Sequence, residues 1–175
     1  ARVMLQPGDA AVIETPAFPN SVQALRYTGA AVHTVPSGPS GIDLDALDAL
    51  AARVRPKMVC VVASFSNPCG ATISRERRLR LLELAVRHRF LIVEDDPYGE
   101  LRFAGETVPP IAALAEGQAR HWAVYISSMS KTMAPALRIG WVVAPAEVRR
   151  RVVGAKAADD MACSAWTQEM VAQYL

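Results

Sequence analysis

The chain has 175 residues, a formal net charge of +2, 51% apolar residues and 21% charged residues. That length is enough for one domain with a real core, and the balance excludes a disordered chain. A charge so near zero does not mark a nucleic-acid surface. The basic residues cluster at Arg75 to Arg89 and Arg149 to Arg151, within helical patterns, and read as solvated faces rather than phosphate-backbone readers. Cys60, Cys69 and Cys163 are odd in number and have no CxxC spacing. This argues against a disulfide framework or a zinc site and fits a reducing, cytoplasmic compartment. No apolar run reaches the roughly 18 residues that span a membrane, and no signal-peptide pattern is present.

In chain order, Ala11 to Glu14 reads as a short buried strand. Pro16, Pro19 and Asn20 punctuate it, and a short helix over Ser21 to Tyr27 ends at Gly29. Ala31 to Val35 is a second strand, followed by a loop over Pro36 to Gly41. Leucines at 44, 47 and 50 predict a helix from a capping Asp43 to Arg53. Met58 to Ala63 is an apolar, β-branched run, hence a buried strand. Ser74 caps a longer helix to about His88, with Leu79, Leu82 and Val86 on one face and arginines elsewhere. Strands follow at Phe90 to Val93, Trp122 to Ile126 and Ile139 to Val143, and Pro145 opens another helix. Alternating strands and helices, with strands that are continuous apolar runs, predict an α/β fold: a mostly parallel sheet with helices on both faces. Trp122, Trp141 and Trp166 are expected in the core, Met129 and Met133 to pack, and His33, His88 and His121 to be structural.

In such sheets ligands sit beyond the carboxyl ends of the strands, and three polar loops follow directly after strands. The first, Ser66-Asn67-Pro68-Cys69-Gly70, has turn chemistry and an amide that can face a ligand. The second, Glu94-Asp95-Asp96-Pro97-Tyr98, puts three carboxylates in a row at the end of an apolar strand. They repel one another, so at least one needs a partner. A carboxylate facing a pyridine nitrogen keeps it protonated and makes the ring a better electron sink; a metal site or a solvated acidic loop are the competing readings.

The third loop lies within Val124 to Ala144, VYISSMSKTMAPALRIGWVVA. Two serines and an arginine flank Lys131. Hydroxyls and a guanidinium fork suit a phosphate, and lysine is the side chain that condenses with an aldehyde when its amine is neutral. A phosphate site beside a reactive lysine suggests pyridoxal 5'-phosphate. A solvated turn is the bland alternative.

SNPCG, VEDDPYGELRF and SSMSKTMAPALRIGW, in this order, resemble the fold-type I pyridoxal-phosphate enzymes, class I/II aminotransferases, and within them the 2-aminoadipate-aminotransferase-like branch. PGDAAVIETPAFPN and GIDLDALDAL add to a likeness that covers nearly the whole chain. The resemblance implies that Lys131 bonds the cofactor covalently and shuttles the substrate proton. It implies that Asp95 pairs with the pyridine nitrogen, and that Asn67 and Tyr98 contact the phenolic oxygen. It implies too that Ser128, Ser130 and Arg138 hold the phosphate through charge-assisted bonds. Cys69 stands where family members often have threonine, and Phe18 where many have tyrosine.

The resemblance further implies that residues 1–150 are the central part of a cofactor-binding large domain. Residues 151–175 would be a helical segment leading towards a C-terminal small domain. A glycine/serine phosphate loop and a stacking aromatic are expected before Ala1, and a substrate-binding arginine after Leu175. The chain is thus expected to be a partial one, inactive in isolation, and a homodimer at full length. Amino acid and 2-oxo acid would be its substrates. A MocR-type transcription regulator uses the same fold for ligand sensing and is the alternative; a lyase or racemase is a third.

Overall fold

The computed structural model describes residues 1–160 and 162–175, so position 161 of the expected 151–175 helical segment lies outside the described residues. Strands β1 (Ala10–Thr15), β2 (Ala31–Gly38), β3 (Gly41–Ile42), β4 (Met58–Val61), β5 (Leu91–Asp95), β6 (Ala123–Ser128) and β7 (Gly140–Val143) form one sheet in the order β3-β2-β1-β4-β5-β6-β7. The five central strands are parallel, and the edge strands β3 and β7 are antiparallel to their neighbours. Helices α1 (Pro19–Arg26), α2 (Leu44–Val54), α3 (Arg75–His88), α4 (Ile111–Leu114), α5 (Ala146–Asp159) and α6 (Ala165–Tyr174) complete the chain.

Side chains alternate across the sheet, and both faces are covered. Val12, Val59 and Ile92 pack against α2, α3 and α4 through Leu47, Leu81 and Ile111. Their neighbours Ala11, Ile13, Met58 and Leu91 pack on the other face against Leu25 of α1 and Val148 of α5. Burial on two sides is why these strands are continuous apolar runs. The predicted helix caps hold: Asp43 Oδ1 accepts from the Asp45 and Ala46 amides at 3.0 Å each, and Ser74 Oγ from the Arg77 amide at 3.4 Å. Among the described residues no helix is long and apolar enough to cross a membrane.

Four expectations need correction. The β2–β3 hairpin replaces the loop expected over Pro36 to Gly41. Strand β7, expected to be buried, is exposed along its length, because it lies at the sheet edge. Trp141 and Trp166, expected in the core, are 37% and 75% exposed, whereas Trp122 packs partly against it. The buried residues of α3 are Arg78, Leu81, Leu82, Leu84 and Ala85; of the expected Leu79, Leu82 and Val86, only Leu82 is among them. Both stripes have helical spacing; a charged residue in the true one hides it from an apolar count.

The corrected face of α3 and the core position of α2 are testable together. Leu47→Ala, at a fully buried position, is expected to destabilise the protein by about 2–5 kcal/mol, and Leu79→Ala by no more than about 0.5 kcal/mol. Urea unfolding, with unchanged slopes and shifted midpoints, measures both.

Candidate active site

From β1 the chain crosses to β2 on one side, and later returns to β4 on the other. The connections therefore diverge between β1 and β4, and a crevice opens there beyond the carboxyl ends, where open α/β sheets bind ligands. Glu14 and Phe18 line it from the β1 side, Cys60 from β4, Asn67 from the following loop, and Asp95 from the end of β5.

The acidic triplet is divided three ways. Glu94 is fully buried on the α3 face, where Arg78 Nη1 donates to its Oε1 at 3.2 Å and the Ile111 amide to its Oε2 at 2.7 Å. Burial pushes its carboxyl up to about 7, against the pull of Arg78. Asp96 is held by its own loop and by β6: Oδ1 accepts from the Gly99 amide at 2.9 Å and Oδ2 from the Tyr125 hydroxyl at 3.1 Å. The carboxylate of Asp95, half-buried in the crevice, has no hydrogen bond or ion pair among the described residues. Burial raises its pKa above the usual carboxylate range, and the neighbouring Asp96 charge adds to this. No group of three or more His, Cys, Asp or Glu side chains able to hold a metal occurs among the described residues.

Asn67 stands at the tip of a loop closed by its own backbone: Ile73 N donates to Ala63 O, and Ser66 N to Ala71 O, both at 2.9 Å. Its amide Nδ2 lies 3.5 Å from the Tyr98 hydroxyl oxygen, which brings these two predicted residues together across the loops after β4 and β5. Both also line an apolar recess with Phe65, Leu101 and Phe103.

Ser128 ends β6, and Ser130, Lys131 and Arg138 lie in the connection from it to β7. Its neck is closed by pairing of Ser128 with Gly140 and by the Met129 amide bonding Ile139 O at 3.0 Å. A Cβ on Gly140 would lie 2.9 Å from Ser127 O, so this close approach needs a residue without a side chain. Asp95 is in register with Ile126 on the adjacent strand, so the Asp95 loop and the lysine loop leave the sheet side by side. Lys131 and Arg138 are exposed, and among the described residues Arg138 Nη1 donates only to Pro135 O, at 3.1 Å. No hydrogen bond or ion pair among the described residues joins Lys131 to Asp95.

The chain matches the family model "Aminotransferase class I and II" over residues 1–175. It belongs to the class I and II aminotransferases. It is 36% identical to the aromatic-amino-acid aminotransferase 1 of Thermococcus litoralis, over 99% of this chain and 42% of that protein. Its fold superposes on the α-aminoadipate aminotransferase of Thermus thermophilus, solved with N-(5'-phosphopyridoxyl)-L-leucine, with a TM-score of 0.93 and 34% identity, over 99% of this chain and 44% of that one. It is also 38% identical to the HTH-type transcriptional regulator TauR of Rhodobacter capsulatus, over 83% of this chain and 28% of the regulator. The chain thus spans less than half the length of these relatives.

Two residues of interest, Arg78 and Glu14, escaped the sequence reading, and a third, Phe18, stood out there only as a departure from the family's tyrosine. Phe18 offers an aromatic face within the crevice, although the stacking aromatic was expected before Ala1. Its place in a Pro-rich turn just after β1 was the available signal. Arg78 gave none beyond its spacing from Leu81 and Ala85. Glu14, ending an apolar strand, is 3% exposed; its Oε1 accepts from the Val62 amide at 2.7 Å and its Oε2 from the Ser37 hydroxyl at 2.9 Å. Burial raises its pKa above the ordinary 4.5, and these two bonds oppose the rise.

A raised folded-state pKa means that Glu14 contributes stability fully below its unfolded value and loses it as pH rises through the folded one. Glu14→Gln keeps an acceptor for Val62 and removes the titration. Its melting temperature relative to the parent is expected to rise as pH increases upward from 4.5; a difference that is constant with pH counts against the assignment.

Proposed function

We propose that the full-length protein is a pyridoxal-phosphate-dependent aminotransferase that moves an amino group between an amino acid and a 2-oxo acid. The observation that carries the reading is Asp95, a half-buried carboxylate at the switch-point crevice without a cationic partner among the described residues. A protonated pyridine nitrogen is the kind of group that completes it. The other residues fit the same ligand. Phe18 offers a flat face to the ring, and Asn67 and Tyr98 are near enough to share one phenolic oxygen. Ser128, Ser130 and Arg138 supply hydroxyl and guanidinium donors for a phosphate.

When bound, the cofactor supplies an electron sink for negative charge on the substrate α-carbon. The protein does the rest. Lys131 would provide the amine that holds the cofactor's aldehyde carbon, and would carry the proton to and from the substrate α-carbon. Asp95 would hold the ring nitrogen protonated, and Asn67 and Tyr98 would contact the phenolic oxygen. Residues 1–150 belong to the large domain in this reading, and 151–175 lead towards the small domain; α5 runs through that boundary. We place the protein in the cytoplasm as a homodimer. Free thiols at Cys60, Cys69 and Cys163 support the first, and wholly or largely exposed Phe103 and Trp166 support a covered face.

A second reading, a MocR-type regulator that senses ligand through this fold, is favoured by the similarity to TauR. A basic winged-helix segment ahead of Ala1 would decide for it.

Two substitutions in the full-length protein test the enzyme reading. Lys131→Ala is expected to abolish the visible absorbance band of the bound cofactor; a persisting band removes Lys131 from its role. Asp95→Asn is expected to retain cofactor, measured by equilibrium dialysis, while kcat falls by about 10²-fold or more. Unchanged turnover assigns the ring nitrogen to another group.

A further inference from the structure

We propose that Arg78, remote from the crevice on the far face of the sheet, is the residue that holds Asn67 and Asp95 at their working separation. This inference rests on the cofactor reading above. Arg78 is 0% exposed, and its guanidinium has five N–H donors. All five are used. Nε donates to Ile73 O at 2.9 Å; Nη1 to Glu94 Oε1 at 3.2 Å and Pro109 O at 3.0 Å; Nη2 to Ala63 O and Ser64 Oγ at 2.8 Å each.

The acceptors are distributed in a telling way. Ala63 and Ser64 begin the loop that carries Asn67, and Ile73 ends it. That loop is closed on itself by the backbone bonds between Ala63 and Ile73 and between Ser66 and Ala71, by the Phe65 amide on Thr72 Oγ1, and by the Ala71 amide on Ser66 Oγ. It therefore moves as one body, and Arg78 grips both arms of its stem. Glu94 is the residue before Asp95 on β5, and its side chain is fixed on the opposite face by the same guanidinium and by the Ile111 amide. One planar cation thus joins the body that carries Asn67 to the strand end that carries Asp95. A ring gripped at its nitrogen by one and at its phenolic oxygen by the other depends on that separation.

Lysine is a point charge on a flexible stem and cannot reproduce five fixed directions, so Arg78→Lys keeps the buried charge and loses the geometry. In full-length protein loaded with pyridoxal phosphate, Arg78→Lys is expected to lower kcat about tenfold to a hundredfold, with KM for the amino donor changed much less. The pH midpoint of the cofactor's visible band should move upward by about one pH unit, because Asp95 no longer holds the ring nitrogen protonated. Ser64→Ala, which removes a single acceptor, should shift both quantities in the same direction by a smaller factor, and covers the case in which Arg78→Lys does not fold. A lower melting temperature with kcat and band midpoint unchanged in every folded variant would make Arg78 a stability residue only and overturn the proposal. Parent protein that shows no visible band on addition of the cofactor would instead overturn the cofactor reading, and so separates the two failures.

Discussion

The parallel hydrogen-bond ladder from β1 through β4 and β5 to β6 is the constraint from which the site follows. Each of these strands runs in the same direction, so all their carboxyl ends face the same way. Loops carrying Phe18, Asn67, Asp95 and Lys131 are thereby delivered to one edge of one sheet, although the chain between them passes repeatedly through helices. The ladder also fixes register. Because Asp95 pairs with Ile126, and Asp96 N bonds Ile126 O at 2.8 Å, the two chemically most telling loops depart from adjacent strands at the same level. Burying the sheet on both faces makes that register hard to change, since a one-residue slip would exchange the Val12–Val59–Ile92 face for its opposite.

Within that frame, neighbouring carboxylates solve the same electrostatic problem in opposite ways. Taking a carboxylate out of water costs several kcal/mol unless a partner returns it. Glu94 has its partners inside the protein, a guanidinium and a backbone amide. Asp95, one residue on and therefore on the other face of the strand, has none among the described residues. A protein stabilised only by its own contacts has no use for the second arrangement. In the proposed reading a ligand that carries a cation gives it one, and the pairing of Glu94 would keep Asp95 from relaxing away.

How much of this could be read from the residues depended on whether the signal was local. Strand–helix alternation, the Asp43 and Ser74 caps and the three polar loops after strands are short-range patterns, and the structure has them. The stripe of α3 was misjudged because Arg78 breaks its apolar run, and only the long-range meeting with Glu94 makes an arginine a core residue. The exposure of β7, Trp141 and Trp166 was equally out of reach, since an apolar run does not say whether a second layer covers it. Phe18 stood out only as a departure from the family's tyrosine, because its place in the same crevice as Asp95 is a property of the crossover from β1 and not of its own neighbourhood.

The reversal of direction after β6 has a consequence for the lysine loop. A further parallel strand would have required a crossover of a dozen or more residues, with a helix carrying the chain to the opposite end of the sheet. An antiparallel partner needs only a connection that stays at the end where it began. Strand β7 is that partner, and it leaves the sheet an exposed edge. In return Ser128, Ser130, Lys131 and Arg138 are held in a single short excursion, pinned at its neck by the Met129–Ile139 bond and the tight Gly140 crossing. In the proposed reading, phosphate donors and a reactive amine that face one small molecule are better served by one closed loop than by two strand ends joined through a helix.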